Sequence, residues 1–244
     1  MTLKHLLLSA LMLLSAGTAW ADVTINATNF PDANFRRWLL NQSYGSDGKL
    51  TDAEIARVTS IVVSKKGIQS LKGIEYFTAL TSLSCGGNQL TSLDVSKNTG
   101  LTKLYCENNQ LISLDVSKNT ALKLLYCENN QLISLDVSKN TALIALACEE
   151  NQLTSLDVSK NTALASLDCD KNQLTSLDVS KNTALKYLLC YNNQLTSLDV
   201  SKNTALVSLN CNSNQLTSLD VSKNSALKYL ECAPSVTVTG WPKY

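Results

Sequence analysis

The eight cysteines of this chain are evenly spaced, each lying 21 residues after the one before. A thiol can form a disulfide, ligate a metal or act as a nucleophile, so an evenly spaced set could support any of these three chemistries. A constant period also indicates that one structural unit repeats and that each cysteine occupies the same place in its unit. The cysteines are Cys85, Cys106, Cys127, Cys148, Cys169, Cys190, Cys211 and Cys232.

The period argues against disulfides and metal sites. It predicts stacked coils whose equivalent residues lie about 4.8 Å apart on parallel strands, whereas the Cβ atoms of a relaxed disulfide lie about 3.8 Å apart. A metal ladder is the alternative, but the chain lacks the C-x-x-C spacing of zinc sites, and its one histidine is His5. We therefore predict eight buried thiols that fill a narrow corner of each coil, with no metal and no cofactor.

Acidic and aromatic residues form a second periodic set, immediately before and after the cysteines. Four consecutive cysteines, from Cys106 to Cys169, are each followed by an acid, which predicts a ladder of carboxylates. Tyrosines beside carboxylates on a rigid sheet suit recognition of a sugar or of a basic protein surface. The alternative is that substitution is harmless at these positions. The candidate ligand-binding residues are Tyr105, Glu107, Tyr126, Glu128, Glu149, Asp168, Asp170, Tyr187, Tyr191 and Tyr229.

These carboxylates also raise the question of catalysis. Paired carboxylates about 5 to 9 Å apart can hydrolyse glycosides, and Glu107 and Glu128 are expected to be neighbours. We expect their ladder to be flat and exposed to water, with no cleft that would raise the pKa of one carboxyl. The chain also has no serine in a nucleophile-elbow motif. The sequence therefore predicts a protein that is not an enzyme.

The unit that positions these residues reads L-x-x-L-x-C-x-x-N-Q-L-x-x-L-D-V-S-K-N-T-A, with few departures between residues 101 and 227. It consists of two halves of the form L-x-x-L-x-C/V-x-x-N. In each half the leucine and the cysteine or valine alternate with other residues, as in Leu104 and Cys106, and this period of two is typical of strands. We therefore predict two short parallel strands per turn, which form a sheet on each side of a flattened coil.

An asparagine ends each half, as Asn109 and Asn119 do. A buried amide without hydrogen bonds costs about 1–3 kcal/mol, so we expect stacked asparagines to bond to the neighbouring coil. Asparagine also tolerates the left-handed backbone conformation, and we expect it to adopt that conformation at both bends.

The coils differ from one another mainly on one side. The half containing Asp-Val-Ser-Lys is nearly identical in every coil, from Asp94, Ser96 and Lys97 onward, and is named the invariant side. Its adjacent columns of opposite charge are typical of a solvated structural surface. The half containing cysteine carries the acids and tyrosines and is named the variable side. Its sequence freedom makes it the candidate binding face.

The unit resembles the leucine-rich repeat, and in particular the 21-residue cysteine-bearing form found in bacterial internalin-type surface proteins. The motif L-x-x-L-x-C-x-x-N-x-L-x-x-L-D-V-S-x-N recurs seven times, and the resemblance extends from Val58 to the last coil. It implies a mainly β solenoid of about nine coils, with two short parallel strands per turn and a small helical N-terminal cap. It also implies a ligand face built from ladders of side chains.

Four regions are expected along the chain. Residues 1–21 read as a secretory signal, because a basic residue precedes an apolar run and Ala-Trp-Ala precedes the cleavage site. A helical cap at 22–57, leucine-rich repeats at 58–235 and a C-terminal cap at 236–244 follow.

Two helices are expected in the N-terminal cap. Residues 31–41 read as a short amphipathic helix with Phe35, Trp38 and Leu39 on one face. Thr51 and the acid three residues later form a capping box that begins a second helix.

Charge and hydropathy limit the partners. The chain has 21 basic and 20 acidic residues, and removal of the expected signal with its one lysine would leave 20 of each. Such a chain lacks the basic field that attracts nucleic acid or anionic lipid, so neither is a predicted partner. No apolar segment after the signal approaches the roughly 20 residues needed to span a bilayer.

The sequence therefore predicts an exported bacterial recognition module of the adhesin type, secreted or at the cell surface. Its expected partner is an extracellular protein or a glycan that binds the variable side. The alternative is a structural spacer or self-assembling repeat protein whose contacts lie on the invariant side. The oligomeric state is left open.

Overall fold

The computed structural model describes residues 22–241. The expected secretory signal at 1–21 and the last three residues of the expected C-terminal cap lie outside this range. The chain begins with a small cap, which contains strand β1 (Val23–Thr24), helix α1 (Ala33–Leu40), strand β2 (Lys49–Leu50) and helix α2 (Asp52–Ile55). The two strands pair antiparallel.

The predicted amphipathic helix is present and begins at Ala33. Asp32 caps it, because its carboxylate accepts hydrogen bonds of 2.9 Å from the backbone N–H groups of Asn34 and Phe35. Phe35 and Leu39 are fully buried, so one face of the helix packs on the first coil.

The predicted capping box at Thr51 is also confirmed. Thr51 N donates to the Glu54 carboxylate at 2.8 Å, and Glu54 N donates to Thr51 Oγ1 at 3.3 Å. The helix it starts is a single turn that buries Ile55 against the core.

Each coil contributes one three-residue strand to a parallel sheet of nine strands, which confirms the mainly β solenoid of about nine coils. The middle residue of these strands is apolar, and equivalent residues are in register, as Leu104 is with Leu125. A 3₁₀ turn (Ile74–Tyr76) precedes the second of these strands. In chain order the strands are β3 (Ser60–Val62), β4 (Ser82–Ser84), β5 (Lys103–Tyr105), β6 (Leu124–Tyr126), β7 (Ala145–Ala147), β8 (Ser166–Asp168), β9 (Tyr187–Leu189), β10 (Ser208–Asn210), β11 (Ser218–Asp220), β12 (Tyr229–Glu231) and β13 (Thr237–Thr239), of which β11 and β13 form a separate parallel pair.

The prediction of two strands per turn is wrong for the invariant side. Within residues 22–241 that half forms a strand only at β11, where β13 supplies a partner. Elsewhere in this range no strand pairs with this half. Its aspartate forms an Asx turn, as where Asp115 Oδ1 accepts a 2.8 Å hydrogen bond from Ser117 N, but Asp220 accepts the same bond within β11, so the turn alone does not prevent a strand. The sequence of this half still shows a period of two because its leucine and valine, two residues apart, both point into the core.

The core is one continuous stack of apolar side chains and asparagines. In the coil that contains β5, Leu101, Leu104, Cys106, Leu111 and Val116 are all fully buried. Full burial of a leucine contributes about 1.5–3 kcal/mol, so stacking provides the stability that a single coil lacks.

The predicted asparagine ladders are confirmed. Asn119 Nδ2 donates to Val95 O at 3.0 Å and to Asn98 O at 2.9 Å, both in the preceding coil. At the other bend, Asn109 Oδ1 accepts a 3.0 Å hydrogen bond from Leu90 N. Each buried amide thus links two coils.

The prediction that these asparagines adopt the left-handed conformation is wrong. The left-handed residue is the one before the buried asparagine of the cysteine half, as Asn108 with φ of 54° precedes Asn109. The buried asparagine is held instead by its side-chain bonds. The left-handed column consists of Lys65, Gly87, Asn108, Asn129, Glu150, Lys171, Asn192 and Ser213.

The C-terminal end of the solenoid is less well covered than its middle. Leu227, Leu230 and Cys232 are only partly buried, and they pack against the core cluster, as do Val238 and Trp241. None of the helices between residues 22 and 241 is long and apolar enough to cross a membrane.

Candidate functional site

The variable side is the outer surface of the nine-stranded sheet. Tyr105 and Tyr126 end the neighbouring strands β5 and β6, and their ring centroids lie 5.1 Å apart with the planes inclined by 30°. Both rings remain partly exposed. They form a two-ring surface on which a ligand group could stack.

The other candidate tyrosines lie nearer the C-terminal end. Tyr187 and Tyr229 begin β9 and β12, are 50% and 68% exposed, and are separated by Ser208 of β10. The structure therefore does not gather all ten candidates into one site. It brings together Tyr105, Tyr126 and the acids, places Tyr191 beside Asp170, and leaves Tyr187 and Tyr229 as single exposed groups.

Four acids follow the cysteines of consecutive coils and are named the acid ladder: Glu107, Glu128, Glu149 and Asp170. The prediction that they are flat on the sheet and exposed to water is wrong. The three glutamates are half-buried and Asp170 is only 3% exposed. Glu107 lies back on the preceding coil, since a Cβ on Gly86 would be 1.9 Å from its Oε1.

Burial changes the acidity of the ladder. It raises the pKa of Glu149 to about 7, with a further rise from the charges of Glu128 and Asp170. Burial is also the main reason why the pKa of Glu128 is raised. The expectation that nothing on this side would raise a carboxyl pKa is therefore wrong.

Asp168, two residues before Asp170, adds a fifth acidic side chain at the C-terminal end of the ladder. Burial, and then the adjoining carboxyl of Asp170, raise the pKa of Asp168 to about 8. The pKa of Asp170 is also raised, mainly by burial. The nearby ammonium of Lys171 forms an ion pair with Glu150 and lies 6.0 Å from the ring centroid of Tyr191.

The ladder leaves hydrogen-bonding capacity unused. One buried oxygen of each member has no partner among the described residues, namely Oε2 of the three glutamates and Oδ1 of Asp170. An unpaired buried acceptor costs about 1–3 kcal/mol, so this arrangement lowers the stability of the fold.

The thiols lie directly behind the ladder. Cys85 Sγ donates to Tyr105 O in the next coil at 3.4 Å, and Cys127 Sγ donates to Ala147 O at the same distance. The cysteines are free, and burial raises the pKa of Cys106 well above its usual range. The prediction of eight buried thiols fails at one position, because Cys232 in the last coil is partly exposed.

The aspartates of the invariant side have lowered pKa values, in contrast to the raised values in the acid ladder. Asp115 accepts a hydrogen bond from Ser117 N, and that bond is the main reason why its pKa is lowered. The pKa values of Asp94, Asp136, Asp157, Asp178, Asp199 and Asp220 are lowered through the equivalent serines.

Sequence reasoning missed several features. Gly86, which leaves room for Glu107, looked like an ordinary member of its column. Ile112 and Ile133 are 60% and 64% exposed on neighbouring coils of the invariant side. The sequence already shows this difference, since most other coils have threonine at the equivalent position. No group of histidine, cysteine and acidic residues in the part of the chain that is described could hold a metal ion.

The nine-stranded parallel sheet, the 21-residue coil and the column of buried thiols give this chain the fold of a leucine-rich-repeat solenoid with a cysteine ladder. The family described as Leucine Rich repeats (2 copies) matches residues 183–233. No curated protein sequence matches the chain.

Solved structures confirm the expected resemblance to internalins. The functional domain of InlJ from Listeria monocytogenes, described as including a cysteine ladder, is 32% identical with a TM-score of 0.66, over 91% of this chain and 62% of that one. This chain thus spans less than two thirds of the InlJ chain. The internalin InlF of that organism is 27% identical with a TM-score of 0.68, over 89% and 73%. Its internalin C2 is 22% identical with a TM-score of 0.75, over 89% and 97%, and supports the fold alone.

Proposed function

We propose that this protein is an exported bacterial recognition module that binds an extracellular protein or a glycan through its variable side. The observation that carries the proposal is the contrast between the two sides. The variable side combines the stacked pair Tyr105 and Tyr126 with the half-buried acid ladder, whereas the invariant side repeats one exposed pattern.

Two physical features support recognition. The residues of the variable side are set on an in-register sheet, so little conformational entropy is lost when a ligand orders them. The partly exposed rings of Tyr105 and Tyr126 also offer a surface on which a ligand group could stack. The similarity to internalin structures supports the same class of function.

Recognition suits the site better than catalysis. A glycosidase needs an acid and a second carboxylate around an enclosed substrate. Here Glu149 has a raised pKa, but it lies in a row of like residues on an open sheet face.

The proposal of export rests on the sequence of residues 1–21, together with the likeness to internalins. Expression with this segment intact should release a protein that begins at Asp22, and N-terminal sequencing of the released chain reads that residue directly. A released chain that still begins at Met1 would contradict the signal.

The function is tested by screening the protein against glycans, host extracellular proteins and bacterial surfaces. A variable-side variant carries serine at Tyr105, Tyr126, Glu107, Glu128, Glu149 and Asp170. A matched control carries asparagine at Asp115, Asp136, Asp157 and Asp178, on the invariant side of the same coils. Circular dichroism first establishes that all three proteins are equally folded.

We expect the protein and the control to bind a common partner and the variable-side variant to lose it. Loss of binding in the control alone, or self-association through the invariant side with no partner bound, would favour the structural spacer.

A further inference from the structure

The nine-stranded sheet has an open edge at β3. Val63 N donates to Ser84 O of β4 at 2.8 Å, and Thr59 O accepts from backbone N–H groups of the same coil as β4. In a parallel strand, residues that bond to one neighbour alternate with residues whose N–H and C=O groups point the other way. Those groups of Ser60 and Val62 therefore point away from β4, where the sheet has no further strand within residues 22–241.

The N-terminal cap leaves this edge uncovered. Its strands β1 and β2 pair with each other in a separate sheet. Ser60 is exposed and Val62 is 60% exposed. Residues 59–63 also contain no proline and no charge, the features that commonly protect an edge strand from pairing. The edge is therefore a template on which one more strand can form.

A depression adjoins the start of this edge. It has a volume of about 480 Å³, and its lining includes Tyr44, Glu54, Arg57 and Ser60. The Glu54 carboxylate is already engaged, because it accepts a 2.8 Å hydrogen bond from Thr51 N. The ion pairs found between residues 22 and 241 do not include Arg57. Its guanidinium can therefore bind a carboxylate from a partner.

The end of the edge is also positively charged. Lys65 and Lys66 follow β3, are exposed, and take part in no ion pair among the described residues. Lys66 lines a second depression, of about 220 Å³, together with Arg37. Unpaired cations thus flank a neutral strand at both ends, and this charge distribution is complementary to a segment with acids at both ends.

The arrangement favours a single acidic strand over a second copy of this chain. The flanking cations would repel those of an identical edge. The C-terminal end of another solenoid is as wide as a whole coil and would meet α1 and α2, which pack on the core at the same end as β3. An extended segment needs only the strip along residues 59–63, about 13 Å long.

We propose that the edge of β3 binds an extended segment of a protein partner, which adds a strand to the sheet. The segment carries β-branched residues opposite Ser60 and Val62 and an acidic side chain beyond each end of that run. The inference goes beyond the proposed recognition function, because the contacts lie on the edge of the sheet and not on its outer surface.

The test uses a labelled peptide, blocked at both termini, in which alternating valine and threonine are flanked by glutamates. A neutral version has glutamine for glutamate. Two further versions carry N-methyl groups on alternate backbone nitrogens, one on the odd and one on the even positions. Fluorescence anisotropy measures the affinity of each peptide for the whole protein at one ionic strength.

Two variants change the edge. Ser60→Pro removes an N–H that points away from β4, and edge strands tolerate proline at such positions. The charge variant carries Arg57→Gln, Lys65→Gln and Lys66→Gln. Its matched control carries Lys97→Gln, Lys118→Gln and Lys139→Gln on the invariant side, which removes the same charge. Circular dichroism establishes that each is folded.

We expect Ser60→Pro and the charge variant each to bind the acidic peptide at least about tenfold more weakly, and the control to stay within about twofold. The neutral peptide should bind at least about tenfold more weakly than the acidic one. Only one of the two N-methylated peptides should lose binding, because alternate residues of an added strand face β3.

Four results would overturn the inference: no binding of the acidic peptide, equal binding of the neutral peptide, equal losses in the charge variant and its control, or equal effects of the two N-methylated peptides. If Ser60→Pro does not fold, the N-methylated peptides decide the question. Self-association in sedimentation that the charge variant alters would assign the edge to a second copy and also overturn it.

The outcomes separate this inference from the proposed function. The variable-side variant is unchanged at β3 and should bind the acidic peptide as the original protein does. If it loses the peptide, the peptide lies on the outer surface of the sheet and the edge is not its site. If the peptide fails while the screen still finds a partner that the variable-side variant loses, the recognition face stands and only the edge site is wrong.

Discussion

Glu149 illustrates how stacking changes a single residue. In the sequence it follows Cys148 and reads as an exposed polar residue at the end of a strand. In the solenoid it is half-buried, and burial, together with the charges of Glu128 and Asp170 of the flanking coils, raises its pKa to about 7. Periodicity predicted the column correctly, but burial depends on how far each side chain leans onto its neighbour.

The raised pKa values predict how stability depends on pH. The pKa of Glu149 rises from 4.5 to about 7 on folding and that of Asp168 from 3.8 to about 8, so the folded state holds more protons than the unfolded state between about pH 4 and 8. The free energy of unfolding should therefore fall as pH rises through this window, by on the order of 1 kcal/mol per group after solvent screening. Urea denaturation at a series of pH values measures it.

Glu149→Gln with Asp168→Asn should flatten this dependence. The control is Asp157→Asn in the same coil, whose carboxyl has a lowered pKa because Ser159 donates to it. That control should lower stability by a constant amount between about pH 5 and 8 and leave the slope there unchanged, because a carboxyl with a lowered pKa is ionised in both states in this range. A wild-type protein whose stability rises from pH 5 to pH 8 would contradict the burial of the ladder.

At the scale of the element, the two halves of the coil show what a period can and cannot predict. Alternation of leucine with cysteine or valine identified the inward positions of both halves correctly. It did not reveal that, within residues 22–241, the invariant half forms a strand only at β11, where β13 pairs with it. Backbone pairing between neighbouring coils decides this, and hydrophobic periodicity does not report it.

Substitution by glycine should have opposite effects on stability inside and outside the left-handed column. Ser213 has φ of 51°, a conformation that costs an L-residue about 1–2 kcal/mol and glycine almost nothing. Ser213→Gly should therefore raise the free energy of unfolding by about 0.5–1 kcal/mol. Ser197→Gly, at an exposed position without positive φ, should lower it by a similar amount. Urea denaturation of both variants measures this, and equal destabilisation would contradict the bend.

The buried asparagines predict a larger effect. Asn140 Nδ2 donates to Val116 O and to Asn119 O, both at 2.9 Å. Asn140→Ala leaves both carbonyls unpaired and should lower the free energy of unfolding by about 1–3 kcal/mol, measured by urea denaturation. Gln131→Ala, which truncates an exposed amide in the same coil, should change it by less than about 0.5 kcal/mol.

Across the whole molecule, stability should be lowest at the C-terminal end. Every inner coil is covered on both sides, whereas the last coil leaves Leu230 and Cys232 partly exposed. Since each coil contacts only its neighbours, local opening is expected to begin there.

Thiol labelling tests this expectation. In the native protein Cys232 should react first with an alkylating reagent, followed by Cys211, while the inner thiols react only after unfolding because burial suppresses both access and ionisation. Mass spectrometry after short exposures identifies the labelled sites. Early labelling of Cys148 would show that the middle of the solenoid opens.

The sequence predicted most of the molecule and only the outline of its site. The repeat predicted the solenoid, the inward residues and the columns of the variable side, because these follow from one period. It did not predict that Glu107 lies on Gly86 or that Asp170 is nearly buried, since both depend on side-chain directions between coils.

The most direct test of the recognition face is carboxyl labelling with a carbodiimide and an amine, with and without a partner found in the screen. We predict that bound partner protects Glu107, Glu128 and Glu149 while Asp115 and its equivalents in the invariant columns remain labelled. Protection of the aspartates with unchanged labelling of the glutamates would place the contacts on the invariant side and contradict the account.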